Sequence, residues 1–183
     1  MCQKAWWAAI KLYYERFNAA GEKKKDKDWY TPMRLPLEMR ITGGSSVNLA
    51  PQFGNNHGTC SIEVLTPKNV DRKAWTSYMQ DITDLWLNLK DDDGNNIHPI
   101  KKDDGQLLYC RPHWAKEWQG LNVNGVKIEK YMKEKALKEQ IPLYVKGLEA
   151  VAESGGYELD EATKLFSTKF SRDMFGLHDL SRK

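Results

Sequence analysis

Glu38 and Arg40 are the first residues of this chain whose types and spacing indicate chemistry. They stand two positions apart in a run that has apolar residues at every second place: Leu35, Leu37, Met39 and Ile41. Because side chains alternate between the two faces of a strand, the carboxylate and the guanidinium point to the same side, about 7 Å apart along the strand. Such a pair can orient a hydroxyl group or a polarised cofactor. An exposed strand face with an ordinary ion pair explains the same pattern.

A second cluster of polar and aromatic residues follows far downstream, where His113, Trp114 and Lys116 lie in the run Arg111-Pro112-His113-Trp114-Ala115-Lys116. A strand predicted over 106–111 leads directly into this run. An imidazole and an ammonium group at a strand end are further candidates for a site. Two interpretations of His113 stay open, since it either lines the site or only caps the strand end while Trp114 packs in the core.

The elements that must position these clusters follow from the apolar periodicity. Strands are predicted over 35–41 and 59–65 in addition to 106–111. Residues 42–58 are rich in Gly, Ser, Asn and Pro, which predicts a long loop between the first two strands. Loops of this length in a compact domain are usually functional or mobile.

The predicted helices cover 3–20, 70–89, 126–140, 142–153 and 160–175. Helix 70–89 has Asn69 as its expected N-cap and the clearest apolar stripe, formed by Trp75, Met79, Ile82, Trp86 and Leu89. Helix 3–20 has an aromatic stripe that favours core packing over a ligand wall or a membrane-surface contact; it is formed by Trp6, Ile10, Tyr13 and Phe17. The order helix, strand, strand, helix, strand, helices predicts an α+β fold in which helices cover one face of an antiparallel sheet.

Length and charge indicate a single domain without a nucleic-acid-binding surface. A chain of 183 residues is expected to form one domain over 1–183, with a core that needs no disulfide or metal. The net charge is +3 and the basic residues are interleaved with acids, so no nucleic-acid footprint is indicated. Lysines 23–25 stand beside Asp26 and Asp28, which favours a solvated loop over a phosphate-binding patch.

The three cysteines, Cys2, Cys60 and Cys110, have neither metal-ligand spacing nor a C-x-x-C pair. Cys60 and Cys110 lie in apolar runs, so we expect both to be buried thiols of a protein in a reducing compartment. The chain is expected to be soluble, because no stretch of about 18 apolar residues occurs and Lys4 and Lys11 interrupt the first apolar segment. The acidic tract 90–105 lacks the register of a calcium loop, and no glycine-rich nucleotide turn is present.

Three motifs, in this order along the chain, indicate a family resemblance. They are the run Pro-Leu-Glu-Met-Arg-Ile-Thr-Gly at 36–43, the run at 111–116, and the ending that passes from Leu159-Asp160-Glu161 through Leu165-Phe166-Ser167 to Phe170. Together they resemble the C-terminal substrate-binding (cap) domain of vanillyl-alcohol-oxidase-type flavoproteins. The motif at 36–43 is most similar to the cholesterol oxidases with covalently bound FAD. The motif at 111–116 is equally similar to the sugar-lactone oxidases, such as those acting on arabinonolactone and gulonolactone.

The resemblance implies roles for five residues. Glu38 would orient the substrate hydroxyl or accept its proton, Arg40 would stabilise the developing alkoxide or the anionic reduced flavin, and Lys116 would place a second cation at the flavin edge. A positioned carboxylate supplies a rate factor of roughly 10²–10⁴, and fixed cations stabilise developing charge. His113 and Trp114 would line the substrate or flavin. The expected activity is oxidation of a secondary alcohol by hydride transfer to FAD, with O₂ as acceptor.

One departure from the family is large, because the half that binds FAD, with its phosphate loop and its tethering His or Cys, has no counterpart in these residues. The resemblance therefore implies that the chain acts with an FAD-binding domain in cis or in trans and is inactive alone. Asp160-Glu161 stands where family members often have Asp-Pro, which is a minor departure. The substrate stays open between a sterol, which would favour a peripheral membrane contact, and a sugar lactone. The alternative function is a non-catalytic ligand-binding or interaction domain with the same fold.

Overall fold

The computed structural model describes residues 1–20, 30–56 and 58–178, and it confirms the α+β class. The helices of this described part are α1 Cys2–Ala19, α2 Arg72–Leu87, α3 Ile128–Tyr131, the π-helix Met132–Ala136, α4 Gln140–Ser154, α5 Leu159–Phe166 and α6 Lys169–Phe175. The strands are β1 Glu38–Thr42, β2 Thr59–Glu63, β3 Ile100–Lys101, β4 Leu107–Leu108, β5 Asn122–Val123 and β6 Val126–Lys127. The predicted loop at lysines 23–25 lies outside the described residues.

The strands pair antiparallel, as expected, but they form three separate two-stranded sheets in the described residues instead of one continuous sheet. The predicted strand 106–111 is reduced to Leu107–Leu108, which pairs with Ile100–Lys101. The β1–β2 sheet is the longest of the three, with Glu38 opposite Glu63 and Thr42 opposite Thr59. Since directly opposite residues share a face, the even-numbered residues of β1 and the odd-numbered residues of β2 form one polar face.

Two hydrophobic clusters form the core. The larger one joins the segment after β4 to the C-terminal helices, and it contains Leu49, Leu87, Trp118, Leu121, Val123, Ile128, Tyr131, Met132, Leu137 and Met174. The smaller one lies between α1 and α2 and contains Ala9, Trp75, Tyr78 and Ile82. Leu37 and Val64 pack against the smaller cluster, so the apolar face of the β1–β2 sheet is held at that end.

The aromatic stripe predicted for α1 is buried only in part, because its first three residues are half-buried. Ala9 is fully buried, whereas Phe17 is 37% exposed. Arg16 instead turns towards α2, where its guanidinium lies 5.2 Å from the centre of the Tyr78 ring and its Nη1 lies 2.7 Å from Asp81 Oδ2. The small Ala9 allows the two helices to approach closely, and the Arg16 contacts fix the rotation of α1 about its axis.

Helix α2 begins two residues later than predicted, because Asp71 and not Asn69 is its N-cap. Asp71 Oδ1 accepts a hydrogen bond from the Ala74 N–H at 2.8 Å, which satisfies one free amide of the first turn. The apolar stripe of α2 is confirmed at Trp75 and Ile82, both of which are buried. The expected N-cap at Asn69 is therefore wrong, while the expected core face is right.

The helices of the C-terminal half are shorter and more often interrupted than the apolar periodicity predicts. The expected helix over 126–140 starts as a hairpin, since Asn124 and Gly125 both have positive φ and form the two-residue turn between β5 and β6. The expected helix over 160–175 is split into α5 and α6. Thr168 is the N-cap of α6 and forms a capping box with Ser171. The Thr168 side chain accepts a hydrogen bond from the Ser171 N–H, and the Ser171 side chain accepts one from the Thr168 N–H.

Candidate functional site

Glu38 and Arg40 point to the same face of β1, as the alternation predicts. Arg40 Nη2 donates to Glu38 Oε2 at 2.8 Å. The two side chains are 46% and 64% exposed, so the pair faces solvent. The opposite, apolar side of the strand is less covered than expected, because Met39 is 41% and Ile41 63% exposed.

Glu63 connects this pair to the second predicted cluster. It lies opposite Glu38 on β2, and its Oε1 lies 3.8 Å from Arg40 Nη1. Its other carboxylate oxygen, Oε2, lies 3.1 Å from Lys116 Nζ. Glu38, Arg40, Glu63 and Lys116 thus form one chain of ion pairs, which we call the ion-pair face. The three predicted catalytic residues are brought together although they come from two distant segments.

Sequence reasoning missed Glu63 as a member of the site. The signal was present, because alternation over 59–65 places Glu63 on the face opposite to Ile62 and Val64. What the sequence lacked was the register that sets Glu63 opposite Glu38. At 21% exposure of its side chain, Glu63 is the most buried of the four charged groups, so it holds the two cations while they remain accessible.

The ion-pair face balances two carboxylates against two cations. Exposed ion pairs of this kind contribute only about 0–1 kcal/mol each to stability, because water and salt screen them. Their effect is mainly positional: Arg40 offers its guanidinium nitrogens to two carboxylates at once, and Lys116 is held beside the same sheet. A hydroxyl ligand can accept from the cations or donate to the carboxylates here, and an anion would compete for Arg40 and Lys116.

His113 and Trp114 have separate positions and do not line the ion-pair face together. His113 is exposed, and its Nδ1 accepts a hydrogen bond from the Ala115 N–H at 3.1 Å. Its carbonyl accepts from the Lys116 N–H at 3.0 Å, so His113 shapes the turn that presents Lys116. Trp114 packs in the larger core cluster against Trp118 and Phe175, at ring-centre distances of 6.1 and 6.0 Å. Trp114 therefore packs against the core, as one of the two interpretations expects, but His113 does not cap the strand, because β4 ends at Leu108.

The loop between β1 and β2 is fastened to the rest of the chain at several points. Trp114 Nε1 donates to the Leu49 carbonyl at 2.9 Å, and the Leu49 N–H donates to Gln140 Oε1 at 3.0 Å. The Arg111 guanidinium donates to the carbonyls of Pro51 and Phe53. Burial lowers the pKa of Arg111 from its usual value. The described part of this loop is therefore a fixed support beside the ion-pair face.

A partly buried polar cluster lies near the end of β4. Tyr131 donates its O–H to the Cys110 carbonyl at 2.6 Å, so the Nε2 of His98, 3.1 Å away, must be the donor in its contact with the Tyr131 oxygen. Burial lowers the pKa of His98 and raises the pKa of Tyr131, which keeps both groups neutral near pH 7. This cluster ties the His98 segment to α3 and has a structural role.

The cysteines are free thiols. Cys2 and Cys60 are half-buried, so the expected burial of Cys60 is only partial; Cys110 is exposed as a residue, although burial raises the pKa of its thiol. The strand that was expected to bury it ends at Leu108. Within residues 1–20, 30–56 and 58–178, no group of three or more His, Cys, Asp or Glu side chains is placed to hold a metal ion.

Two shallow clefts occur away from the ion-pair face. One lies between α5 and α6, and the other lies between α2 and the β5 hairpin; their linings include Thr163, Arg172 and His178 in the first and Thr76, Gln80 and Asn122 in the second. Neither cleft is lined by Glu38, Arg40 or Lys116. In the described part of the chain, no helix combines the length and the apolar character needed to cross a membrane.

Comparisons with known proteins assign neither a family nor a function to this chain. No family model, no curated protein and no solved structure matches the chain. The function of the ion-pair face must therefore be argued from its residues and their contacts.

Proposed function

We propose that this chain is the substrate-binding cap of a flavin-dependent oxidase that oxidises a secondary alcohol, and that it works together with an FAD-binding domain. One observation supports the proposal above all: Glu38, Arg40 and Lys116, which the family resemblance selects from two distant segments, meet through Glu63 on one exposed face. In alcohol oxidation, a carboxylate can accept the hydroxyl proton, and neighbouring cations can stabilise the negative charge that develops on the oxygen.

Three of the four charged residues then have distinct tasks in the reaction of the alcohol. Glu38 accepts the hydroxyl proton of the substrate, because it is the more exposed of the two carboxylates and lies beside Arg40 at 2.8 Å. Arg40 stabilises the negative charge that develops on the substrate oxygen as the proton leaves. Glu63, the least exposed of the four charged side chains, holds Arg40 and Lys116 in position on the same face of the sheet.

The chain fits FAD only in part. Bound FAD would supply the acceptor for the hydride from the alcohol carbon. Within the described residues, no glycine-rich turn joins a strand to a helix in the way that cradles a pyrophosphate, so the phosphate end must be held by another domain. Arg40 and Lys116 are the residues here that suit the polar, electron-rich edge of a flavin. The substrate, a sterol or a sugar lactone, would enter between this face and the other domain.

The first experiment is the visible absorption spectrum of the protein purified from its natural source, followed by addition of cholesterol or a sugar 1,4-lactone with O₂. We expect flavin bands near roughly 370 and 450 nm, which belong to the cofactor, bleaching by one substrate class, and production of hydrogen peroxide. A preparation that contains the FAD-binding domain and still forms no peroxide with either class would refute the proposed function.

Variants of the same preparation test the assigned residues. Glu38→Gln and Arg40→Ala should each lower turnover by roughly 10²-fold or more while the far-ultraviolet circular dichroism stays unchanged. Arg72→Ala is the matched control for Arg40→Ala, since both arginines are 64% exposed and each forms a surface ion pair. Equal turnover in Arg40→Ala and Arg72→Ala would show that the ion-pair face is not the reacting site.

A non-catalytic interaction domain is the second candidate function. It is favoured by the exposed large apolar side chains on the C-terminal helices, where Leu165 is 73% and Phe166 87% exposed. Exposed apolar patches mark surfaces that bind other molecules. This candidate predicts that flavin does not co-purify and that Glu38→Gln changes no activity, so the spectrum and the variants above separate the two functions.

A further inference from the structure

The outer edge of β1 is open in the described part of the chain. β1 pairs only with β2 there, and all five residues of Glu38–Thr42 are exposed. A two-stranded antiparallel sheet is at best marginally stable by itself. An unpaired strand edge presents a row of N–H and C=O groups, and the occupant that satisfies such a row is another extended strand.

The side chains of β1 also leave apolar surface uncovered. Leu37 packs against the α1–α2 cluster, but Met39 is 41% and Ile41 63% exposed. Charged residues on an edge strand usually discourage pairing with other chains. Glu38 and Arg40 have that effect on most partners, but they attract a strand that presents the opposite charges at the same positions.

β1 itself is such a strand, because the side chains on the two sides of Met39 are complementary: the charges are opposite and the next residues are both aliphatic. Reading outwards from Met39, an acid and a base come first, Glu38 on one side and Arg40 on the other, and then two aliphatic residues, Leu37 and Ile41. In an antiparallel pair of two copies centred on Met39, Glu38 of one copy faces Arg40 of the other. The two-fold symmetry repeats this contact, and Leu37 faces Ile41 on the other side of the sheet.

Other symmetric registers are unfavourable. A two-fold axis through Glu38 or Arg40 places two like charges directly opposite each other. An axis between two residues is excluded by geometry, because it would set side chains of opposite faces directly opposite each other, whereas paired residues share a face. A centre at Leu37 or Ile41 leaves Glu38 and Arg40 without opposite charges, so charge favours the register that is centred on Met39.

We propose that the outer edge of β1 binds β1 of a second copy of this chain, in the antiparallel register centred on Met39. The two copies then share one four-stranded sheet in the order β2, β1, β1, β2. The proposal goes beyond the oxidase function and does not depend on it, because it uses only the strand edge and the sequence of β1.

Charge reversal tests the partner. Sedimentation equilibrium of the 183-residue chain should show a dimer, and Glu38→Arg or Arg40→Glu alone should weaken it about tenfold or more, since each creates two like-charge contacts. An equimolar mixture of the two variants should regain the dimer, because one copy then presents two arginines to two glutamates. Arg72→Glu is the control for a reversed surface charge outside β1. A monomer at about 100 µM, where even weak association is measurable, or a dimer that ignores both reversals, would overturn the proposal.

Disulfide trapping tests the register, in a background where Cys2, Cys60 and Cys110 are replaced by Ser. Met39→Cys should form a covalent dimer on mild oxidation, since facing Cα atoms in an antiparallel pair lie about 4.5–5.5 Å apart, within disulfide reach. Ile41→Cys is the matched control: the two copies of this residue lie four strand steps apart, roughly 14 Å along the sheet. Circular dichroism confirms that each variant is folded. A cross-link at position 41 but not 39, or at neither, would contradict the proposed pairing.

Discussion

The carboxylate of Glu63 and the ammonium group of Lys116 meet at 3.1 Å, and the other oxygen of the same carboxylate lies 3.8 Å from Arg40. One side chain on β2 thus joins the Glu38–Arg40 pair to the turn after His113. This contact makes two clusters, far apart in the chain, into one face. It also makes Glu63 the residue through which that arrangement can be tested without any knowledge of a substrate.

A double-mutant cycle on Glu63→Gln and Lys116→Met should give a coupling energy of about 0.2–1 kcal/mol in urea unfolding at low salt. The coupling should shrink in about 1 M salt, where the screening length is roughly 3 Å. The same cycle on Lys130 and Glu134, whose side chains are 63% and 55% exposed and whose charged atoms lie 3.8 Å apart, is the control and should give the smaller coupling. A coupling of zero for Glu63 and Lys116 at low salt would mean that the ion-pair face does not hold together in solution.

Gly44→Ala should destabilise the fold by more than about 1 kcal/mol, while Gly43→Ala should stay within about 0.5 kcal/mol of the wild type. A Cβ on Gly44 would lie 1.8 Å from the Asn55 carbonyl oxygen, whereas a Cβ on Gly43 meets nothing within 4 Å. The loop between β1 and β2 must therefore open to accept an alanine at position 44. Chemical unfolding of both variants measures the difference, and equal stabilities would contradict the close approach of the two loop segments.

The sequence could predict the alternation that defines the site, but not the pairing that completes it. Glu38 and Arg40 share a face because the period of a strand is two, and this follows from local sequence. The place of Glu63 depends on the register between β1 and β2, which the long intervening loop does not encode in a short motif. Lys116 reaches the site through a turn shaped by the hydrogen bonds of His113, and such contacts leave no periodic signal.

In the helices too, local sequence predicts some features, and tertiary contacts determine others. The apolar stripe predicts the buried face of α2 because two of its turns are dominated by large residues, Trp75 and Ile82. In α1 the aromatic stripe is only half-buried and Ala9 is the fully buried residue, because Arg16 gains an aromatic ring and a carboxylate on α2. Contacts with α2 therefore set the rotation of α1 about its axis, and the apolar periodicity of a single helix cannot predict such contacts.

Trp114→Phe should cost about 1–3 kcal/mol, since it keeps an aromatic ring against Trp118 and Phe175 but leaves the Leu49 carbonyl without its donor. Hydrogen exchange should also become faster for the loop amides that this contact holds, including the Leu49 N–H. Trp7→Phe is the control, because Trp7 is 58% exposed and should tolerate the change within about 0.5 kcal/mol. If Trp114→Phe is as mild as Trp7→Phe, Trp114 does not fasten the loop.

The stability of the protein should fall as the pH is lowered below about 6.5, because of His98. Burial lowers the pKa of His98 from 6.5, so the folded protein keeps this imidazole neutral while the unfolded chain takes up a proton. The unfolded state then binds more protons, and the free energy of unfolding decreases with falling pH by at most about 1.4 kcal/mol per unit from this group. The loss begins at the unfolded pKa, near 6.5, and ends once the pH is below the folded pKa.

Urea unfolding of the wild type and of His98→Gln between about pH 5 and pH 7 measures this contribution, since acid-range carboxylates change little in that window. The glutamine keeps an N–H that can donate to the Tyr131 oxygen, as Nε2 of His98 does at 3.1 Å, but it cannot be protonated. His98→Gln should therefore flatten the pH dependence, and His113→Gln, a change at an exposed imidazole, should leave most of it in place. If the two variants have the same slope as the wild type, the half-buried His98 is not the group that the folded state keeps neutral.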